Sequence, residues 1–156
     1  MERKMHKPER QLSAQETMAL LERGDHGTLS MQGDDGYPYA TPVNYILLDG
    51  KVYLHSAPYG YKIDCLNRDS KCCFSAIIST HVVPSKITAA FESIILTGRA
   101  VFVEDRAEKQ RVLEAFVTTR CAGFEDVGAR MIEKQLDKTA VLRLEPVSLT
   151  GKAYRG

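Results

Sequence analysis

Residues 40–62 read ATPVNYILLDGKVYLHSAPYGYK. Two apolar extended runs, Tyr37–Leu48 and Lys51–Ser56, flank Asp49-Gly50, a dipeptide that readily adopts the left-handed conformations of a tight hairpin turn. The second run ends at His55-Ser56. The loop Ala57–Tyr61 follows and delivers Lys62 to the start of KIDCLNRD, where Ile63 and Leu66 stand at helical spacing. Loop amides, a hydroxyl, a helix N-terminus and one ammonium therefore converge, which is the chemistry of an anion site. Taken by itself, Lys62 also reads as a solvated lysine after a turn.

Upstream, GTLSMQ and the turn Gly33–Gly36 precede the first run, so the order is that of a β-meander. Pro38 and Pro42 have no N–H for a ladder, which predicts an edge strand, a bulge or solvent-facing stretches. Further upstream, residues 1–12 form a polar arm. Ser13 with Glu16 makes a capping box, Met18, Leu20 and Leu21 supply an apolar stripe, and Gly24 stands where a left-handed residue would close the helix.

Downstream, KCCFSAII is a strand, residues 79–88 are polar and irregular, and AAFESIILTGRAVFVED is a long extended run. Gly98 within it marks a bulge or the close approach of another backbone. Asp105 and Glu108 repeat the cap, and Val112, Leu113, Phe116 and Val117 continue a helix that Gly123 closes. That apolar stripe reads as core or as cover for a barrel end. A helix over residues 124–137 and the strand TAVLRLEPVSLTG complete the chain. Strands joined by hairpins, with few helices, predict a mainly β protein, an antiparallel barrel with peripheral helices.

The chain has 156 residues, 44% of them hydrophobic, which suits a single domain over residues 13–156 with one sizeable core. Its 21 basic and 20 acidic residues leave a net charge of +1, so no broad field gathers nucleic acid or anionic lipid, and any anion must be held locally. The charged start lacks an apolar h-region and no run approaches a membrane span, which predicts a cytoplasmic protein. Cys65, Cys72, Cys73 and Cys121 lack metal or redox spacing and read as free thiols, with Cys72 and Cys73 on opposite faces of their strand.

These segments resemble the FMN-binding core of the pyridoxamine 5′-phosphate oxidase-like split-barrel family. The stretch containing Pro-Val-Asn, His-Ser-Ala and Gly-x-Lys is most similar to its nitroimidazole-resistance branch. The resemblance spans roughly residues 26–104, with weaker agreement in the last strand. It implies that Thr41, Pro42, Val43 and Asn44 lie along the flavin ring, with Tyr45 either beside them or in the core. It further implies that His55, Ser56, Ala57, Gly60 and Tyr61 border the cofactor and that Lys62 binds its phosphate. Ser93, five residues before Gly98, takes the position of a polar flavin contact.

The same resemblance makes His55 the candidate catalytic residue, since a group titrating near neutrality can donate a proton or bind an anionic substrate group. A polar strand cap is the plainer reading of His55. FMN is the implied cofactor, NAD(P)H and a small oxidant such as a nitroaromatic or quinone the implied partners, and a homodimer with two interfacial sites the implied assembly. No metal is called for.

Two departures stand out. Ala40 and Tyr61 occupy positions where the oxidases carry arginines, which weakens phosphate binding unless Arg99, His81 or Lys86 substitutes; each lost contact is worth about 1.5–3 kcal/mol. There is no Trp, and Arg143-Leu144-Glu145-Pro146 matches the oxidases' substrate motif only faintly, so pyridoxamine phosphate is not the expected substrate. The C-terminal Gly151–Arg155 either reaches a cofactor or frays. A non-enzymatic flavin, F420 or haem module on the same barrel is the alternative function, and a cofactor-free scaffold a third.

Overall fold

The computed structural model describes residues 3–156. Seven antiparallel strands form one sheet: β1 (His26–Gln32), β2 (Pro38–Asn44), β3 (Ile46–Leu48), β4 (Lys51–Ser56), β5 (Lys71–Val83), β6 (Thr88–Phe102) and β7 (Ala140–Tyr154). Four α-helices accompany them: α1 (Ala14–Arg23), α2 (Tyr61–Arg68), α3 (Arg106–Arg120) and α4 (Glu125–Gln135).

The spatial order is β2-β1-β5-β6-β7-β4-β3, so β2 and β3 are the two edges of the sheet. Only Tyr45 separates them in sequence. A sheet whose opposite edges are joined by one residue must roll up, and the result is a barrel with a seam where β2 and β3 do not pair. This corrects the meander: the chain makes a β1–β2 hairpin, breaks at Tyr45, and makes a β3–β4 hairpin on the far side of the sheet. The Asp49-Gly50 turn is as expected, with φ of 51° and 72°.

The prolines follow from this layout. Gly33 N–H donates to Tyr37 O at 2.9 Å and Tyr45 N–H to Asp25 O at 3.0 Å, so the odd-numbered residues of β2 direct their backbone groups to β1. Pro38, Ala40, Pro42 and Asn44 then face their backbones to the seam, where a missing N–H costs no ladder bond.

Alternation sorts the side chains. Leu29, Met31, Val43, Val52, Leu54, Phe74, Ile94, Leu96, Leu142 and Leu144 fill the barrel with Leu20 and Leu21 of α1 and Ile63, Cys65 and Leu66 of α2. Each such side chain contributes about 1.5–3 kcal/mol by leaving water. A second core lies outside the barrel, where Ile46, Tyr53 and Val141 meet Val112, Leu113 and Phe116 of α3. There the Tyr53 hydroxyl donates to Glu108 Oε1 at 2.8 Å and Arg143 Nη1 to the same oxygen at 2.7 Å, fixing α3 against β4 and β7.

The Ser13 capping box is present, and the Asp105 carboxylate accepts from Glu108 N–H. Gly24, however, is extended (φ −79°) rather than left-handed. Its lack of a side chain serves packing instead, since a Cβ there would lie 2.2 Å from the Tyr45 hydroxyl. Residues 79–88 are not irregular either: β5 runs on to Val83 and a 3-10 turn, Pro84–Lys86, leads into β6.

The last strand is longer than expected and continues to Tyr154, so this end is paired rather than frayed. Gln11 bridges to Lys152 and Leu12 N–H donates to Gly151 O, which lays that part of the N-terminal arm on β7; residues 1 and 2 of the arm lie outside the described residues. All four cysteines are free; Cys72 is buried and Cys73 half-buried, on opposite faces.

Candidate functional site

Lys62 lies in the first turn of α2, half-buried, with burial pulling its ammonium below the usual lysine pKa. No carboxylate pairs with it among the described residues. Gly60 caps this helix with φ 118°, a value that disfavours any Cβ, and offers no side chain to the free amides that follow. An unpaired cation and open helix amides at one place can hold an anion, and the residues fit a phosphate.

His55 stands at the end of β4, opposite Val141 of β7, and turns to the outer side of the barrel. Its ring meets Phe116 of α3 edge-on, with centroids 4.4 Å apart. Part of the ring stays open to solvent, yet this packing excludes enough water to lower its pKa from 6.5, and the Lys62 charge adds to the effect. Both effects favour the uncharged imidazole.

His55 and Asn44 both border a cavity of about 1030 Å³ beneath α3 and α4. The seam edge of β2 runs up to Asn44; Pro42 and Asn44 face outward, whereas Val43 is buried in the barrel and Thr41 shares its inward side. Thr41 and Val43 thus have their side chains turned inward and their backbone groups paired with β1, and the backbone groups left for a ligand at the seam are those of Ala40, Pro42 and Asn44. Tyr45 is fully buried, its hydroxyl donating to Leu21 O at 2.7 Å, which decides for the core between its two readings.

Ser56 spends its hydroxyl proton on Ala57 O at 2.7 Å. Tyr61 is turned to the β1–β2 turn, where its hydroxyl donates to Asp34 Oδ1 at 2.6 Å and accepts from Asp34 N–H. Its ring also meets Tyr39 edge-on at 4.8 Å, so it does not point at Lys62 as a phosphate-binding arginine would. The substitute cations are elsewhere too. Arg99 donates to Ser70, beyond the C-terminal end of α2, and His81 and Lys86 lie near the tip of the β5–β6 hairpin.

Ser93 is not brought to His55 within one chain. It pairs with Lys152 near the end of β7, whereas Val141, the partner of His55, lies near its start. Sequence reasoning passed over Phe116 and Arg120 as site residues, along with the α4 side chains that wall the cavity.

The sequence pattern of the pyridoxamine 5′-phosphate oxidase family matches residues 13–153. The chain belongs to that family. Solved structures share its split-barrel fold. A conserved hypothetical protein of Mycobacterium tuberculosis aligns over 96% of this chain and 90% of its own, with TM-score 0.83 and 19% identity. A candidate 5-nitroimidazole antibiotic resistance protein of Bacteroides thetaiotaomicron covers 92% of this chain and 86% of its own, with TM-score 0.71 and 22% identity. An FAD- and haem-binding protein of Mycobacterium smegmatis covers 94% and 74%, with TM-score 0.78 and 19% identity. A search by sequence among curated proteins found no match. No helix among the described residues is long and apolar enough to cross a membrane.

Proposed function

We propose that the protein is an FMN-dependent reductase that passes electrons from a nicotinamide nucleotide to a small oxidant such as a nitroaromatic or quinone. The observation that carries this reading is Lys62: a half-buried ammonium without a carboxylate partner, at an uncapped helix N-terminus, within electrostatic reach of His55. Family membership gives the phosphate-binding reading of that lysine its weight.

In this reading Lys62 and the first amides of α2 hold the cofactor phosphate, and the seam edge of β2 offers Ala40 N–H and neighbouring carbonyls to the ring. Bound FMN supplies hydride and electron transfer. His55, neutral and edge-packed on Phe116, orients the oxidant by hydrogen bonding and relays a proton at its ring nitrogen. The two expected arginines are absent and Arg99, His81 and Lys86 lie elsewhere, so in this reading the phosphate rests on Lys62 and the helix end.

The assembly is a homodimer. The outward side chains Thr28, Ser30, Ser75, Ile77, Ile95 and Thr97 form an uncharged patch bordered by Lys71 and Arg99, and Ile77 and Ile95 are 66% and 50% exposed there. A second copy on this face is also what could bring Ser93 to a His55 site.

The absorbance spectrum of the protein as purified tests the cofactor. Two flavin bands that bleach on anaerobic addition of NADPH support the proposal. A Soret band, the absorbance and fluorescence of F420, or a yellow colour that persists under excess donor contradicts it.

A further inference from the structure

Helix α4 buries none of its residues, although it is amphipathic. Val127 and Met131 are 50% and 57% exposed, and Phe124 before them is 65% exposed. These exposed side chains form one wall of an open hollow. With Leu113, Phe116 and Val117 of α3 they line the cavity of about 1030 Å³ that has His55 and Asn44 at its border.

Polar side chains at this cavity include Asp25, His26, Asn44, His55, Arg120, Gln135 and Thr139, and the charged ones among them are engaged with the protein itself. Arg120 Nη2 donates to Gly24 O at 2.7 Å and to Tyr45 O at 2.8 Å, while Asp25 pairs with its neighbour His26. No lysine is among the lining residues. A ligand with a full charge would therefore give up its hydration for little return. Volume and lining match a small-molecule site, in which apolar walls bind the body and a few polar groups set its orientation.

From this we infer that the cavity between α3, α4 and the ends of β2 and β4 binds an uncharged, planar, aromatic small molecule. Its polar end meets Asn44 and His55, and its rings lie against the Phe124–Val127–Met131 face. This site is distinct from the phosphate cradle at Lys62, and His55 stands between the two. Identifying the ligand as the electron acceptor rests on the reductase reading; its binding does not.

The probe for the test is N-phenyl-1-naphthylamine, an uncharged aromatic amine whose fluorescence rises in apolar surroundings, titrated into the full-length protein. Saturable binding of one probe per chain is expected. Met131→Glu and Val127→Glu, both at exposed positions, should each weaken it by about tenfold, with the far-ultraviolet circular dichroism unchanged. Val147→Glu, at a residue 85% exposed and outside the cavity, should leave it as it was.

FMN fluorescence followed in the same samples should show flavin binding that neither displaces the probe nor responds to Met131→Glu. The inference is overturned by unsaturable probe binding, by indifference to both α4 variants, or by stoichiometric displacement of the probe by FMN, which would make the cavity the flavin site. Loss of self-association in Met131→Glu during sedimentation would also overturn it, since α4 would then be covered by a second copy. Probe binding without FMN binding would sink the reductase reading and leave this inference standing.

Discussion

Lys62 and His55, seven positions apart, are brought into electrostatic contact by the turn from β4 into α2, and the ammonium adds to burial in keeping the imidazole neutral. An NMR titration should find the His55 pKa below 6.5, and Lys62→Met should raise it. An anion bound at Lys62 should raise it as well. Because the folded-state value is depressed, the unfolded chain takes up this proton first. Stability should accordingly fall as pH drops through 6.5 toward the folded value. A His55 pKa that ignores Lys62 would separate the two groups.

Glu92 ties three parts of the chain together. Its carboxylate accepts from Arg23 at the end of α1 at 2.9 Å, from Arg155 after β7 at 2.9 Å, and from Ser79 of β5 at 3.0 Å. These bonds, that of Arg23 foremost, lower its pKa to about 2. The sign is that of a depressed acid: the contribution is whole above about 4.5 and disappears as pH falls through about 2. Both arginines are more than half exposed, so Glu92→Gln should cost only about 1 kcal/mol at neutral pH in urea unfolding. The two proteins should converge in strong acid.

Tyr45 and Gly24 form a second measurable pair. Burial raises the Tyr45 pKa from 10.0 to about 12, so the linked stability is whole below about 10 and is lost as pH rises from there through about 12. Tyr45→Phe should cost about 1 kcal/mol through the lost bond to Leu21 O. Gly24→Ala should cost about 1–3 kcal/mol by overpacking, because its Cβ falls 2.2 Å from the Tyr45 hydroxyl and 2.6 Å from Ile78 Cδ1. In the Tyr45→Phe background the alanine should cost less, which a double-mutant cycle in urea would show. Strict additivity would contradict the contact.

Gly98 offers a sharper case. The β6–β7 register shifts between Thr97 and Gly98, and a Cβ at Gly98 would lie 2.0 Å from Glu145 O. Backbone cannot yield as a side-chain tip can, so Gly98→Ala should destabilise by about 3 kcal/mol or more. A melting temperature unchanged from that of the parent would refute the close approach.

The sequence made local features legible wherever the signal was itself local. The capping box at Ser13, the Asp49-Gly50 turn, the two-faced pair Cys72 and Cys73, and the close approach at Gly98 all depend on a few adjacent residues and their backbone preferences. What escaped was tertiary. Nothing in the run from Tyr37 to Leu48 says that Tyr45 breaks it, because the break exists to bury that ring and to send the two halves to opposite sheet edges. Gly24 was misread for a related reason: a helix-ending glycine suggests a left-handed turn, whereas this one makes room for Tyr45.

In the candidate site, the proximity of Lys62 and His55 was legible because one short turn connects them. Tyr61 was not, since its partner Asp34 lies on a distant hairpin. The α4 wall has a sequence signal, Phe124, Val127 and Met131 at helical spacing, but that pattern does not distinguish a buried stripe from a cavity lining.

The central claim, that Lys62 grips the phosphate of a flavin, is tested most directly by fluorescence titration of FMN, and in parallel riboflavin, into protein stripped of bound small molecules. The account predicts saturable quenching of FMN, much weaker binding of riboflavin, and a loss of FMN affinity of about tenfold to a hundredfold in Lys62→Ala, the worth of one charge-assisted hydrogen bond. FMN and riboflavin binding alike, with Lys62→Ala indistinguishable from the parent, would contradict it.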